Sequence, residues 1–335
     1  MLLSNLKILF VSLGLLLVIP GKSISPISGG DANLNHQISC ETNIPLTTAN
    51  AIGYKSVINY NDGFVAAGSG GRIDWIAVSG KINQSEKIEL ENFNCLLAQN
   101  NDLIVAGEHG AIFVSSEKGI FKKMNSGTDK NINAIVLFKG QIIAGTDDGE
   151  ILSGDGKGSF SKISLAVKGN IVSLSSRSAD CFGVTDHGEI IHTDNGANWE
   201  IFDFNQVYQG FYKTCAFASI LATEKGIAVA GVYEDGSPVF MFSQLGKVWS
   251  ERQLFYKDQQ GNQELLTDRP TGIFYDDSHD LFYLVCNGGK LMKLPSCSHC
   301  NELAEIKAIN LSGISGTNEM LMIVGEGFFV KPINF

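Results

Sequence analysis

The residues best suited to chemistry are acids and histidines set beside glycine. They are Glu108-His109 before Gly110, Asp147-Asp148 before Gly149, Asp186-His187 before Gly188, Glu234-Asp235 before Gly236, and Glu326 before Gly327. Carboxylates and imidazoles gathered on one rim would suit a cation or a basic partner surface. The same residues are also what tight turns require, because short polar side chains bond the local backbone and tolerate left-handed conformations. The second candidate is Cys297-Ser298-His299-Cys300. A lone CxxC supplies two of the four ligands a structural zinc needs, and no thioredoxin-like βαβ pattern surrounds it, so Cys297 and Cys300 read as a local disulfide. No motif pairs a nucleophile with a base, and no catalytic residue, cofactor or metal is expected.

The elements that position these groups recur along the chain. Leu103-Ile104-Val105-Ala106-Gly107 runs through Glu108-His109-Gly110 into Ala111-Ile112-Phe113-Val114, an apolar run, a glycine turn and a second apolar run. This is a hairpin pattern. It returns with turn glycines at Gly71, Gly110, Gly149, Gly188, Gly236, Gly289 and Gly327, spaced 39, 39, 39, 48, 53 and 38 residues apart. A period near 40 residues in an all-β chain predicts a seven-bladed β-propeller, each repeat one four-stranded blade. In the third repeat the strands are expected near 131–138, 141–144, 150–153 and 159–163, from the axis outward. The last repeat offers strands near 309–314, 321–324 and 328–332 and then lacks one. A strand from near 37–46 is expected to complete it, so the N-terminal end would close the last blade. Long insertions precede the fifth repeat, around 205–210, and fall within 255–280; no segment carries a sustained helical period.

Residues 1–23 read as a secretory signal peptide. Lys7 leads an apolar run over 8–19, followed by Pro20-Gly21 and a small-residue exit at Ser23. The run is short for a spanning helix, and no second one follows. Residues 24–36 read as a loose segment and 37–335 as the propeller. Removing 1–23 removes two lysines and no acid, taking the formal charge from −10 to −12. Such a protein repels nucleic acid, and a secreted or periplasmic monomer is expected. Seven cysteines, an odd count, leave at least one thiol unpaired within the chain. Most lie in apolar strand patterns, where cysteine acts as a small hydrophobe.

His192-Thr193-Asp194-Asn195-Gly196-Ala197-Asn198-Trp199 resembles the Asp-box, written Ser/Thr-x-Asp-x-Gly-x-x-Trp, with histidine at the first position. Weaker copies are Ser153-Gly154-Asp155-Gly156-Lys157-Gly158-Ser159-Phe160 and Ser115-Ser116-Glu117-Lys118-Gly119-Ile120-Phe121, and Gln244-Leu245-Gly246-Lys247-Val248-Trp249 keeps only the Gly and Trp. With the repeats and the exported start, the chain over about 37–335 resembles the photosystem II assembly-factor-like propellers of the Asp-box (BNR repeat) superfamily. The resemblance implies a non-catalytic scaffold holding a protein partner, with Asp194, Gly196 and Trp199 as fold residues on the face away from the binding side. That family uses an arginine-rich patch; this chain has four scattered arginines, Arg72, Arg177, Arg252 and Arg269. The alternative within the superfamily is a carbohydrate-active enzyme or glycan binder. Sialidases need an arginine triad and an Arg-Ile-Pro motif, whereas here Arg72-Ile73 is followed by Asp74.

Overall fold

The computed structural model describes residues 51–99, 101–117, 119–295 and 301–335, all within the compact unit Thr42–Phe335. The expected signal peptide, the closing strand near 37–46 and the Cys297–Cys300 pair lie outside the described residues.

The described residues form seven antiparallel blades arranged as a β-propeller. Six have four strands in chain order, and the seventh shows three among the described residues. The innermost strands are Tyr54–Tyr60, Phe93–Gln99, Ile132–Phe138, Ile171–Ser176, Cys215–Thr223, Pro270–Asp276 and Leu311–Gly316. The third blade follows the sequence expectation within two residues, with strands Ile132–Phe138, Gln141–Thr146, Glu150–Gly154 and Ser161–Ser164. The second strand of each blade is the most buried; Met320–Gly325 is buried throughout. Neighbouring blades cover both of its faces, which is why these strands read as continuous apolar runs rather than alternating ones. Outer strands such as Ile82–Lys87 are largely exposed.

The core is divided into seven clusters, one between each pair of adjacent blades. The cluster that closes the ring joins Tyr54, Val57, Phe64 and Ile76 of blade one to Met320, Met322 and Val324 of blade seven. Polar bonds reinforce that seam: Ser312 Oγ donates to the Tyr54 carbonyl at 2.6 Å, and the Asn59 N–H donates to Ser315 Oγ at 3.0 Å.

The insertions have structures that periodicity did not reveal. Before blade five, Phe204–Val207 forms one turn of helix, capped by the Asp203 carboxylate accepting the Gln206 N–H at 3.0 Å. Phe204 is buried there against Tyr208, Tyr212 and Phe217. Four residues are too short for helical periodicity to register. The polar insertion forms a small hairpin, Phe255–Lys257 with Gln263–Leu265, anchored by buried Leu254 and Leu266. It pairs with the outer edge of blade six through Tyr256 and Asn301, and Arg252 Nη2 donates to Asn301 Oδ1 at 2.8 Å.

One ion cluster sets a pH dependence. Asp180 accepts from Arg177 Nη2 at 2.7 Å and lies 2.9 Å from His192 Nε2. Desolvation raises the Asp180 pKa, but hydrogen bonds from His192 and Arg177 and their charges outweigh it, holding the carboxyl below its usual range. A depressed acid stabilises the fold above its unfolded pKa of about 4 and loses that contribution as pH falls through the folded value. Asp180→Asn is therefore expected to cost about 1.5–3 kcal/mol near neutrality. The gap to wild type should close below about pH 4. Urea melts of both proteins across the acid range check this, and a pH-independent gap would refute it.

Candidate functional site

Strand pairing places all seven turns between second and third strands on one end of the ring, beside the starts of the inner strands. In every blade the first residue of that turn donates its N–H to a carbonyl just before or at the start of the inner strand. Examples are Ser69 to Gly53 at 2.9 Å, Glu108 to Asn92 at 3.0 Å, Glu234 to Thr214 at 2.8 Å and Asn287 to Arg269 at 2.9 Å. The nine rim residues therefore share one face.

Most of their carboxylates are engaged in holding that face together. Asn92 Nδ2 donates to Glu108 Oε1 at 2.8 Å, Asn131 Nδ2 to Asp147 Oδ2 at 2.9 Å, Asn170 Nδ2 to Asp186 Oδ2 at 2.9 Å, and Asn310 Nδ2 to Glu326 Oε2 at 3.0 Å. The amide oxygen of each asparagine accepts from the turn of the preceding blade: Gly70 N–H on Asn92 at 2.8 Å, His109 on Asn131 at 3.1 Å, Asp148 on Asn170 at 3.1 Å, and Gly288 on Asn310 at 3.3 Å. Each asparagine is thus a clasp between two blades. Asp235 closes its own turn by accepting from the Ser237 N–H at 3.0 Å, and also pairs with Lys213 at 2.5 Å. Asp148 pairs with Lys130 at 3.4 Å, and His187 Nδ1 lies 2.9 Å from Asp186 Oδ1. His109 and Glu234 are exposed. Among the described residues no group of three His, Cys, Asp or Glu side chains could hold a metal ion.

Inside this rim is a feature that sequence reading missed. Six of the seven inner strands skip one residue directly after their first paired one, blade three's skip lying opposite Gly145/Thr146, and the inner strand of blade five skips one after its third, Phe217. The residue skipped is Lys55, Asn94, Asn133, Val172, Ala218, Thr271 or Ser312 in turn, and all seven line the channel mouth. A bulge re-aims its extra residue out of the ladder, here toward the axis. Four of these side chains reach the first carbonyl of the next inner strand: Asn94 to Ile132 at 3.1 Å, Asn133 to Ile171 at 3.3 Å, Thr271 to Leu311 at 2.8 Å, and Ser312 to Tyr54 at 2.6 Å. Val172 and Ala218 break the polar ring. The mouth holds a cavity of about 300 Å³. The clasp was legible in principle, since each asparagine precedes its acid by 16 residues. The bulge was not, because a one-residue skip leaves the apolar pattern intact.

The turn resembling an Asp-box lies at the opposite end of the ring, and its chemistry differs from the expectation. Thr193 Oγ1 accepts the Gly196 N–H at 2.9 Å, and Asn195 Oδ1 accepts the N–H groups of Ala197 and Asn198, both at 2.8 Å. Asp194 is exposed and contributes its carbonyl, which accepts Lys139 Nζ at 2.6 Å. The hydroxyl therefore sits three residues before the glycine, as at Ser243, whose Oγ accepts the Gly246 N–H at 2.8 Å. Assigning the turn to Asp194 is corrected to Thr193 and Asn195. Gly196 keeps its positive φ of 78°, and Trp199 packs on the cluster between blades three and four. Thr193→Ala is expected to cost about 1–2 kcal/mol by orphaning the Gly196 N–H and the Asn195 N–H, the latter 3.3 Å from Thr193 Oγ1. Asp194→Ala should stay within about 0.5 kcal/mol of wild type by chemical denaturation.

The arginines do not converge. Arg72 pairs with Asp74 at 2.8 Å in blade one, and Arg177 pairs with Asp180 in blade four. The described cysteines Cys95, Cys181, Cys215 and Cys286 are buried free thiols, and burial pushes the Cys181 thiol up to about 12. Among the described residues no helix is long and apolar enough to cross a membrane.

No family model and no curated protein matches the sequence. Its fold is similar to that of many solved structures. The WD40 domain of Neurospora crassa Pan2 aligns with a TM-score of 0.65 at 9% identity, over 87% of this chain and 94% of that one. The computationally designed Ika8 protein aligns with a TM-score of 0.61 at 10% identity, over 85% and 97%. Identities this low carry the fold and nothing of the role.

Proposed function

We propose that this chain is an exported, non-catalytic propeller that binds a protein partner on the end of the ring bearing the rim, as the photosystem II assembly-factor-like propellers hold theirs. The fold is consistent with a protein-binding scaffold. The observation that carries the choice of face is the set of large apolar side chains left in water on that end, in the segments leading into inner strands: Ile52, Leu90, Val207 and Phe211, the last 83% exposed. Exposed apolar groups within a polar surround suit a partner interface. The rim acids add negative charge beside them, so the partner surface is apolar with basic flanks. The rim acids support the non-catalytic reading, because four of them already accept hydrogen bonds from the clasp asparagines.

The opposite end also exposes Val78, Leu245 and Val248, which provides the control. Cross-linked capture from the source cell envelope is expected to lose its partner with Leu90→Asp plus Phe211→Asp and to keep it with Leu245→Asp plus Val248→Asp. The reverse pattern would move the interface to the other face. Turnover of a glycoside by the pure protein would replace this reading with the carbohydrate-active one.

A further inference from the structure

We infer that the channel mouth is a binding site for a carboxylate carrying a short apolar group. This does not depend on the partner reading, since the residues involved are distinct from the exposed loops. Three observations combine. The cavity of about 300 Å³ has room for a group the size of one amino-acid residue. Among the described residues Lys55 is the one cation on its wall. Its Nζ donates to the Ala51 carbonyl at 3.2 Å, and it makes no ion pair among the described residues. The single carboxylate on the wall among the described residues, Glu326, is engaged by Asn310, whose N–H and Nδ2 both donate to Oε2 at 3.4 and 3.0 Å.

The other polar ring members, Asn94, Asn133, Thr271 and Ser312, carry no charge, and each donates a hydrogen bond to the next blade. In a ring of seven, blade one faces blades four and five across the axis. There the bulge residues are Val172 and Ala218, with Phe217 beside them. The cavity therefore has an ammonium on one side and an apolar wall on the other. An anion held by Lys55 directs its hydrocarbon part at that wall, and burial of a few methylenes adds to the ion pair. A small organic acid and the C-terminal residue of a polypeptide present the same chemistry.

Calorimetric titration of the full chain at low ionic strength tests this with isocaproate, isocaproamide, the tripeptide Ala-Ala-Leu with a free carboxylate, and its C-terminal amide. At least one acid is expected to bind tenfold or more tighter than its amide. Isocaproate alone marks a small-acid site, and the tripeptide alone marks a chain terminus. Lys55→Met should abolish the preference and Lys55→Arg should keep it. Ala218→Asp, which leaves the packing of Val172 on the core between blades four and five intact, should weaken the acid. Equal binding of acids and amides, no binding of either acid, or an undiminished preference in Lys55→Met would overturn the assignment. Loss of the partner in Leu90→Asp plus Phe211→Asp leaves this result unaffected, so the two readings fail separately.

Discussion

Replacing Asp74 with alanine is expected to cost about 3–5 kcal/mol, because three donors lose the buried carboxylate they share. For a domain of this size that lowers Tm by roughly 6–12 °C. Asp74 is fully buried. It accepts from the Tyr54 hydroxyl, the Ser85 hydroxyl and, at 2.8 Å, Arg72 Nε. Burial first, then the hydrogen bond and charge of Asp74, push the Tyr54 phenol far above its ordinary pKa, so it remains a donor at all working pH. The cluster reaches the other end of the chain. The Tyr54 ring meets Phe328 edge-on at 5.2 Å, and the Arg72 guanidinium lies 4.3 Å over the Phe328 ring. Phe328 belongs to blade seven and holds φ at 58°. Asp74 thus orders the seam where first and last blades meet. Asp74→Asn should cost less, about 2–3 kcal/mol, since its amide oxygen still accepts while its NH₂ faces donors. Thermal melts give the magnitude. Hydrogen exchange should show the loss of protection in blades one and seven before the others; uniform loss around the ring would refute the seam role.

The second large effect is expected at Gly110, with Gly236 as its control. Both occupy the last position of a rim turn with positive φ, 67° and 82°. Either alanine variant bears the strain of the left-handed region, about 1–3 kcal/mol. A Cβ at Gly110 would also stand 2.0 Å from the Thr128 carbonyl oxygen and 2.8 Å from Ser126 Oγ. At Gly236 nothing lies within 4 Å. Backbone cannot swing aside as a side chain can, so overpacking adds about 1–3 kcal/mol at Gly110 only. Denaturant melts should separate the two alanine variants by that second amount. Equal destabilisation would mean the loop entering blade three yields freely.

What the sequence determined by itself was the ring. Turn glycines at a period near 39 and apolar runs on either side are local signals, and stacking repeats is the one way such hairpins bury both faces. The grouping of Glu108, Asp147, Asp186 and Glu326 on one end followed from the same repeat. Their role did not follow, because a carboxylate bound by Asn92 or Asn310 and one free for a ligand look alike in one dimension. Only the tertiary structure decided that these acids tie neighbouring blades and that Thr193 and Asn195, rather than Asp194, hold their turn. It alone brought Lys55 opposite Val172 and Ala218, residues more than a hundred positions apart in the chain. A one-residue bulge and the closure of seven blades set that proximity, and neither leaves a mark on local composition.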